Sequence, residues 1–204
     1  MIAAVGHALA VHLHAITFAA AGLCTLLIAV LPRGTGALSA AAILAGTLTL
    51  AGLGIIATGM SDERPLQQVP LAMPLLMTAA GAAVAKTVLL QAGRPLPAVV
   101  TASAVVGLAG GLAVAVAVVL LLVARSRHRL TITTLVGLGL VGLPALVSNA
   151  LLLVPGVDDS VDDVATMVGI VVTGAGLLLI ALALARRPMG TATVSDDARQ
   201  ASRR

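Results

Sequence analysis

The chain has 204 residues, 59% of them apolar and only 10% charged, with a formal net charge of +4 and a mean hydropathy of +1.12. A soluble domain carries roughly a quarter of its residues as charges, so this composition excludes an ordinary water-soluble globular protein. The basic residues stand beside the apolar runs, where they act as topology determinants, so the positive charge is no sign of a nucleic-acid partner.

The apolar residues fall into runs of about 20, the length that crosses the hydrocarbon core of a bilayer as a helix. In lipid a chain must satisfy its own backbone hydrogen bonds. No segment shows the period-two alternation of a membrane β-barrel. The predicted fold is therefore all-α: a polytopic membrane helix bundle of about six transmembrane helices with both termini cytoplasmic.

The first predicted span covers 8–31 and stops at Leu31-Pro32-Arg33-Gly34. Met1 to Gly6 carries no Lys or Arg, so the basic start of a cleaved signal peptide is missing and the helix is expected to be retained. Three histidines lie here: His7, His12 and His14. Residues two apart on a helix are separated by about 200°, which sends His12 and His14 to opposite faces. His7 and His14 share a face but stand about 10 Å apart along the axis. No two of them can hold one ion unaided, and no other span contains a histidine. Each is a candidate proton carrier or haem ligand, against the plainer reading of hydrogen-bonded packing near the inner leaflet. Cys24, the one cysteine, permits no disulfide or redox pair and suits a small buried apolar position.

His12-Leu13-His14, followed by Ala15, Phe18, Gly22 and an apolar run to Leu31-Pro32-Arg33, resembles a His-x-His span of small haem-copper-oxidase-like multispan proteins. The resemblance covers one helix. It implies haem iron held by histidines from more than one helix. Because the other spans lack histidine, it implies here a five-coordinate haem or a ligand from a second subunit.

The second span, 37–58, is followed by Ser61-Asp62-Glu63-Arg64-Pro65, and the third, 70–91, by Gly93-Arg94-Pro95. Lys86 lies about 7–8 Å below the outer end of the third span by helical rise, a depth from which a lysine can snorkel to the interface. The fourth span, 98–124, has Thr101 and Ser103 at the same level and ends in Arg125-Ser126-Arg127-His128-Arg129, with His128 expected in solvent. The fifth, 131–154, contains Pro144, expected to loosen the helix before Ser148 and Asn149. The sixth covers 164–185, and the basic tail 186–204 is too polar to bury a core.

Lys86, Gln91, Ser148 and Asn149 form a candidate polar pocket on the outer side, the alternative being plain helix–helix hydrogen bonding. Above it lies the acidic segment Asp158-Asp159-Ser160-Val161-Asp162-Asp163. Its carboxylates could gather cations or pair with Lys86, but the spacing and terminal glutamate of an EF-hand loop are missing. A solvated charged turn is the expectation.

Orientation follows from the arginines. With the N-terminus inside, Arg64, Arg125, Arg127, Arg129, Arg186, Arg187, Arg199, Arg203 and Arg204 fall on the cytoplasmic side, against Arg33 and Arg94 outside. Arg125, Arg127, Arg129, Arg186 and Arg187 are placed to meet anionic lipid headgroups. Small-residue spacings such as Ala42-xxx-Gly46 and Gly107-xxx-Gly111, with Gly169, Gly174 and Gly176, allow close helix approach.

No nucleotide-binding loop, nucleophile elbow, zinc-protease motif or CxxC occurs, and no predicted span holds Asp or Glu. Neither an enzyme nor a metal site is expected. The leading reading is transport of a small solute or ion across the cell membrane. The alternatives are a haem-binding or electron-transfer subunit and an accessory subunit working beside a membrane partner or a second copy.

Overall fold

The computed structural model describes residues 2–32, 36–57, 69, 71–92, 97–128, 132–154, 156 and 158–186, with side chains placed from His12 onward except near some helix ends. Six helices account for nearly all of them: α1 (Ile2–Val30), α2 (Gly36–Ala57), α3 (Ala72–Ala92), α4 (Pro97–His128), α5 (Ile132–Leu151) and α6 (Asp159–Ala185). Each is long and apolar enough to cross a bilayer. The chain is a multi-pass integral membrane protein.

Polar side chains inside these helices meet the demand of lipid by bonding to their own backbone. Thr25 donates to the Ala21 carbonyl at 2.8 Å, Thr49 to Ala45 at 2.8 Å and Thr87 to Ala83 at 2.9 Å. Ser148 donates to Pro144 at 2.7 Å and Ser103 to Val100 at 2.8 Å. A hydroxyl that returns its proton to the preceding turn leaves no orphan donor in hydrocarbon.

The helices pack as a closed ring in chain order. Among the described residues α1 touches α2, α2 touches α3, and so on to α6, which returns to α1; helices on opposite sides of the ring do not meet. Neighbours run antiparallel. Along the α4–α5 seam, Gly107 faces Asn149, Gly111 faces Leu146 and Val114 faces Gly142. Along α5–α6, Gly137 faces Ile180 and Gly169 faces Pro144. Six antiparallel crossings put the start of α1 and the end of α6 on one side, here called the terminal face.

Glycine decides the closest approaches. A Cβ at Gly22 on α1 would fall 3.0 Å from the Gly174 carbonyl oxygen of α6, and one at Gly176 would fall 2.7 Å from the Gly137 carbonyl oxygen of α5. Backbone has nowhere to yield, so no larger residue fits at Gly176 without parting the two helices.

Large apolar side chains point outward: Leu23, Val30, Leu71, Val123, Leu143 and Val164 are each at least 60% exposed. Such a surface in water would be an aggregation liability; in lipid it is the solvent-facing side. The buried apolar cluster gathers toward the terminal face, from Phe18, Leu53, Ile56, Ala72, Met73, Leu76, Val114, Leu121, Leu135, Leu138, Ile180 and Leu184.

Four helix boundaries differ from the hydropathy reading. The first helix begins at Ile2 rather than 8, and the fourth runs on through Arg125 to His128. Hydropathy marks where lipid ends, but a helix continues through polar residues until something breaks it, and neither stretch holds Pro or Gly apart from Gly6. The fifth helix stops at Leu151, and the chain tightens through i to i+3 bonds from Leu153 to Ala150 and Val154 to Leu151, each 3.1 Å.

The acidic segment is the fourth difference. It is the start of α6 rather than a turn, with Asp158 as N-cap accepting from the Ser160 amide at 3.0 Å. Carboxylates at a helix start satisfy free amides and oppose the helix dipole. That bond, and a second from the Ser160 side chain, hold the Asp158 carboxyl below its ordinary value.

Candidate functional site: a central cavity with one lysine

Because the ring closes without helices meeting across it, it encloses space. A cavity of about 310 Å³ lies among all six helices. Toward the terminal face its floor is large and apolar: Phe18, Leu53, Leu76, Val114, Leu138 and Ile180. Toward the opposite face the walls are mostly small or polar, among them Gly46, Ala83, Gly107, Ala145 and Ser148, with Ile28 of α1 beside them. The buried cluster beneath the floor seals that side.

At the polar end Lys86 of α3 turns inward, and its Nζ donates to Asn149 Oδ1 of α5 at 2.5 Å. It does not run out to the interface, as its depth alone suggests. The bond joins two helices that are not neighbours in the ring, so it passes across the luminal side of α4. Gly107 stands at that crossing, where any Cβ would overlap the Asn149 amide. Asn149 is 3% exposed, and its Nδ2 donates to the Ala145 carbonyl at 2.5 Å. Both ends of the amide are thus committed, which fixes the oxygen toward the lysine.

The charge balance of the lining is one-sided. Among the described residues it holds one ammonium and no carboxylate. A lysine at the centre of a membrane helix costs about 3 kcal/mol, and less near a helix end. An interhelical hydrogen bond in a bilayer contributes on average about 0.6 kcal/mol. The Asn149 bond offsets part of that cost.

The other candidate residues are placed as follows. Ser148 lines the cavity beside Asn149, with its hydroxyl proton on the Pro144 carbonyl. Gln91 lies on α3, but its side chain is outside the described residues. Thr101 is exposed, while Ser103 is buried outside the lining. His14 is 5% exposed, with the Thr17 hydroxyl donating to its carbonyl at 2.8 Å; His12 is half-buried. The side chain of His7, like those of Asp159, Asp162, Arg125, Arg127 and His128, is outside the described residues, as are Arg129 and Arg187. Among the described residues no three His, Cys, Asp or Glu come together as a metal site.

No family model, curated protein or solved structure matches the chain. Its function is therefore read from the cavity itself. The lining also includes Phe18, Thr25, Thr87, Gly107 and Thr173, which the sequence reading did not single out as a site. A signal was present for one of them: Gly107-xxx-Gly111, like Ala42-xxx-Gly46, puts small residues on one helix face, and all four line the cavity.

Proposed function

We propose that this chain is a transport protein for a small solute. The observation that carries the reading is the closed six-helix ring around a cavity, polar and cationic toward one face and sealed by packed apolar side chains toward the other. A site closed on one side is one of the two states an alternating-access carrier needs, and membrane carriers place their sites between helices near mid-bilayer. Pro144, inside α5 and in the cavity wall, removes one backbone donor and leaves that helix a natural point of bending.

The test is uptake by the full chain in proteoliposomes, run over radiolabelled organic anions, amines and sugars. Uptake of at least one class above protein-free liposomes, lowered about tenfold or more by Lys86→Met, supports the reading. Equal uptake with and without protein across the panel overturns it.

A further inference from the structure

The donors and acceptors of the cavity narrow the class of ligand. Of the five hydroxyls in the described lining, those of Thr25, Thr49, Thr87 and Ser148 spend their protons on backbone carbonyls, and Thr173 is the fifth. Asn149 spends one of its two amide protons on Ala145 and turns its oxygen to Lys86. The charged donor facing the space is thus the Lys86 ammonium, which carries three N–H groups. A cation would meet this charge with no carboxylate in the described lining to hold it. A neutral sugar needs many donors and an aromatic platform, whereas the chain has no Trp, no Tyr and one Phe.

Shape narrows it further. On α3 the lining runs from Leu76 to Thr87, about 16 Å by helical rise. A volume of 310 Å³ drawn out over that length is a slot rather than a bowl. It corresponds to about ten waters at the liquid volume of roughly 30 Å³ each. Its far end, at Phe18, Leu53, Leu76 and Leu138, offers only apolar surface.

We infer that the cavity binds a small monocarboxylate with an unbranched apolar body, its carboxylate on Lys86 Nζ and its tail on the floor at Phe18 and Leu76. Charge-assisted bonds to a carboxylate are about twice as strong as neutral ones, so the ligand takes the place of Asn149 Oδ1 at the ammonium. The tail displaces water from an apolar surface, which is favourable. The inference deepens the transport reading by naming its substrate class, and its biological meaning rests on that reading. Binding itself is testable without flux.

The experiment is equilibrium binding of radiolabelled hexanoate to the full chain in a short-chain maltoside detergent, with unlabelled competitors. Octanoate should displace hexanoate, while hexylamine should fail and hexanol should be at least about tenfold weaker, a difference of about 1.4 kcal/mol. Lys86→Met should lose at least about tenfold in affinity, and Lys86→Arg, which keeps the charge, should stay within about threefold. Size-exclusion profiles and melting curves establish that each variant is folded. Hexanoate affinity unchanged in Lys86→Met, or hexylamine competing as well as octanoate, overturns the assignment. Hexadecanoate outcompeting octanoate also overturns it, since that marks a lipid-derived acid too long for the slot. The two readings separate cleanly: hexanoate binding without flux retains the site and rejects transport. Lys86-dependent flux of another solute, with no hexanoate binding, does the reverse.

Discussion

Gly107→Ala is the sharpest test of the ring's internal geometry. A methyl there would lie 2.6 Å from Asn149 Nδ2 and 2.5 Å from its Cγ, closer than real side chains tolerate. The amide has no easy retreat, because its Nδ2 is tied to Ala145 and its oxygen to Lys86. Overpacking of this kind costs about 1–3 kcal/mol, and losing the Lys86 bond adds about 0.6 kcal/mol in a bilayer. Replacing Gly by Ala within a helix returns up to about 1 kcal/mol. The net expectation is a loss of at least about 0.6–2.6 kcal/mol. The controls are Gly54→Ala and Gly81→Ala, where nothing lies within 4 Å of the new methyl and the helix term acts alone. Unfolding in mixed micelles of rising SDS fraction, followed by helical circular dichroism, should show Gly107→Ala less stable than wild type and the controls equal or more stable. Adding Asn149→Ala to Gly107→Ala should recover most of the overpacking loss, a coupling that a double-mutant cycle reads directly. A Gly107→Ala protein as stable as Gly81→Ala would refute the placement of Asn149 against α4.

Three further outcomes follow from other parts of the molecule. Phe18→Ala, at a side chain 3% exposed and packed against Gly52, should cost about 3–5 kcal/mol, seen as a lowered melting temperature with the cavity floor opened. Gly176→Val should separate α5 from α6, because the added Cβ meets the Gly137 carbonyl oxygen; spin labels on the two helices should report a wider distance, while a shift of zero would reject the contact. The Asp158 cap should respond to acid: its carboxyl is held low by the Ser160 bonds, so its contribution is complete above the ordinary value of 3.8 and is lost as pH falls below that through the lowered value. Protection of the Ser160 amide, measured against its intrinsic exchange rate at each pH, should fall in that window in wild type, and Asp158→Ala should lack that protection throughout.

The six spans were legible because lipid imposes a simple rule: about 20 apolar residues, broken by Pro, Gly or charge. The rule loses force beyond the lipid. Arg125 to His128 were read as a break, yet they continue α4, since arginine is a good helix former and lipid contact is no longer at issue. The acids at 158–163 were read as a turn, yet they start α6, where carboxylates are welcome. Which face of each helix looks inward was illegible for a different reason. When every face is apolar, periodicity carries no direction, so Lys86 could be placed by depth but not by rotation. Its partner lies 63 residues away. The small-residue spacing around Gly107 was the visible trace of that arrangement. It was read as permission for helices to approach, and it also leaves the room in which Asn149 reaches the lysine.

The ring has a consequence for how the polypeptide can be cut and rejoined. Five of its six interfaces join helices consecutive in sequence, and only the α1–α6 interface closes the circle between distant parts of the chain. During synthesis the first five helices can pair in order of emergence, leaving the space open on the side opposite α3 until the sixth arrives. Since α1 and α6 are neighbours running in opposite directions, a short linker can join the end of one to the start of the other. The chain can then be reopened at the connection between α3 and α4, giving a circular permutant whose every helix pair is retained and whose last closing step is moved to a different seam.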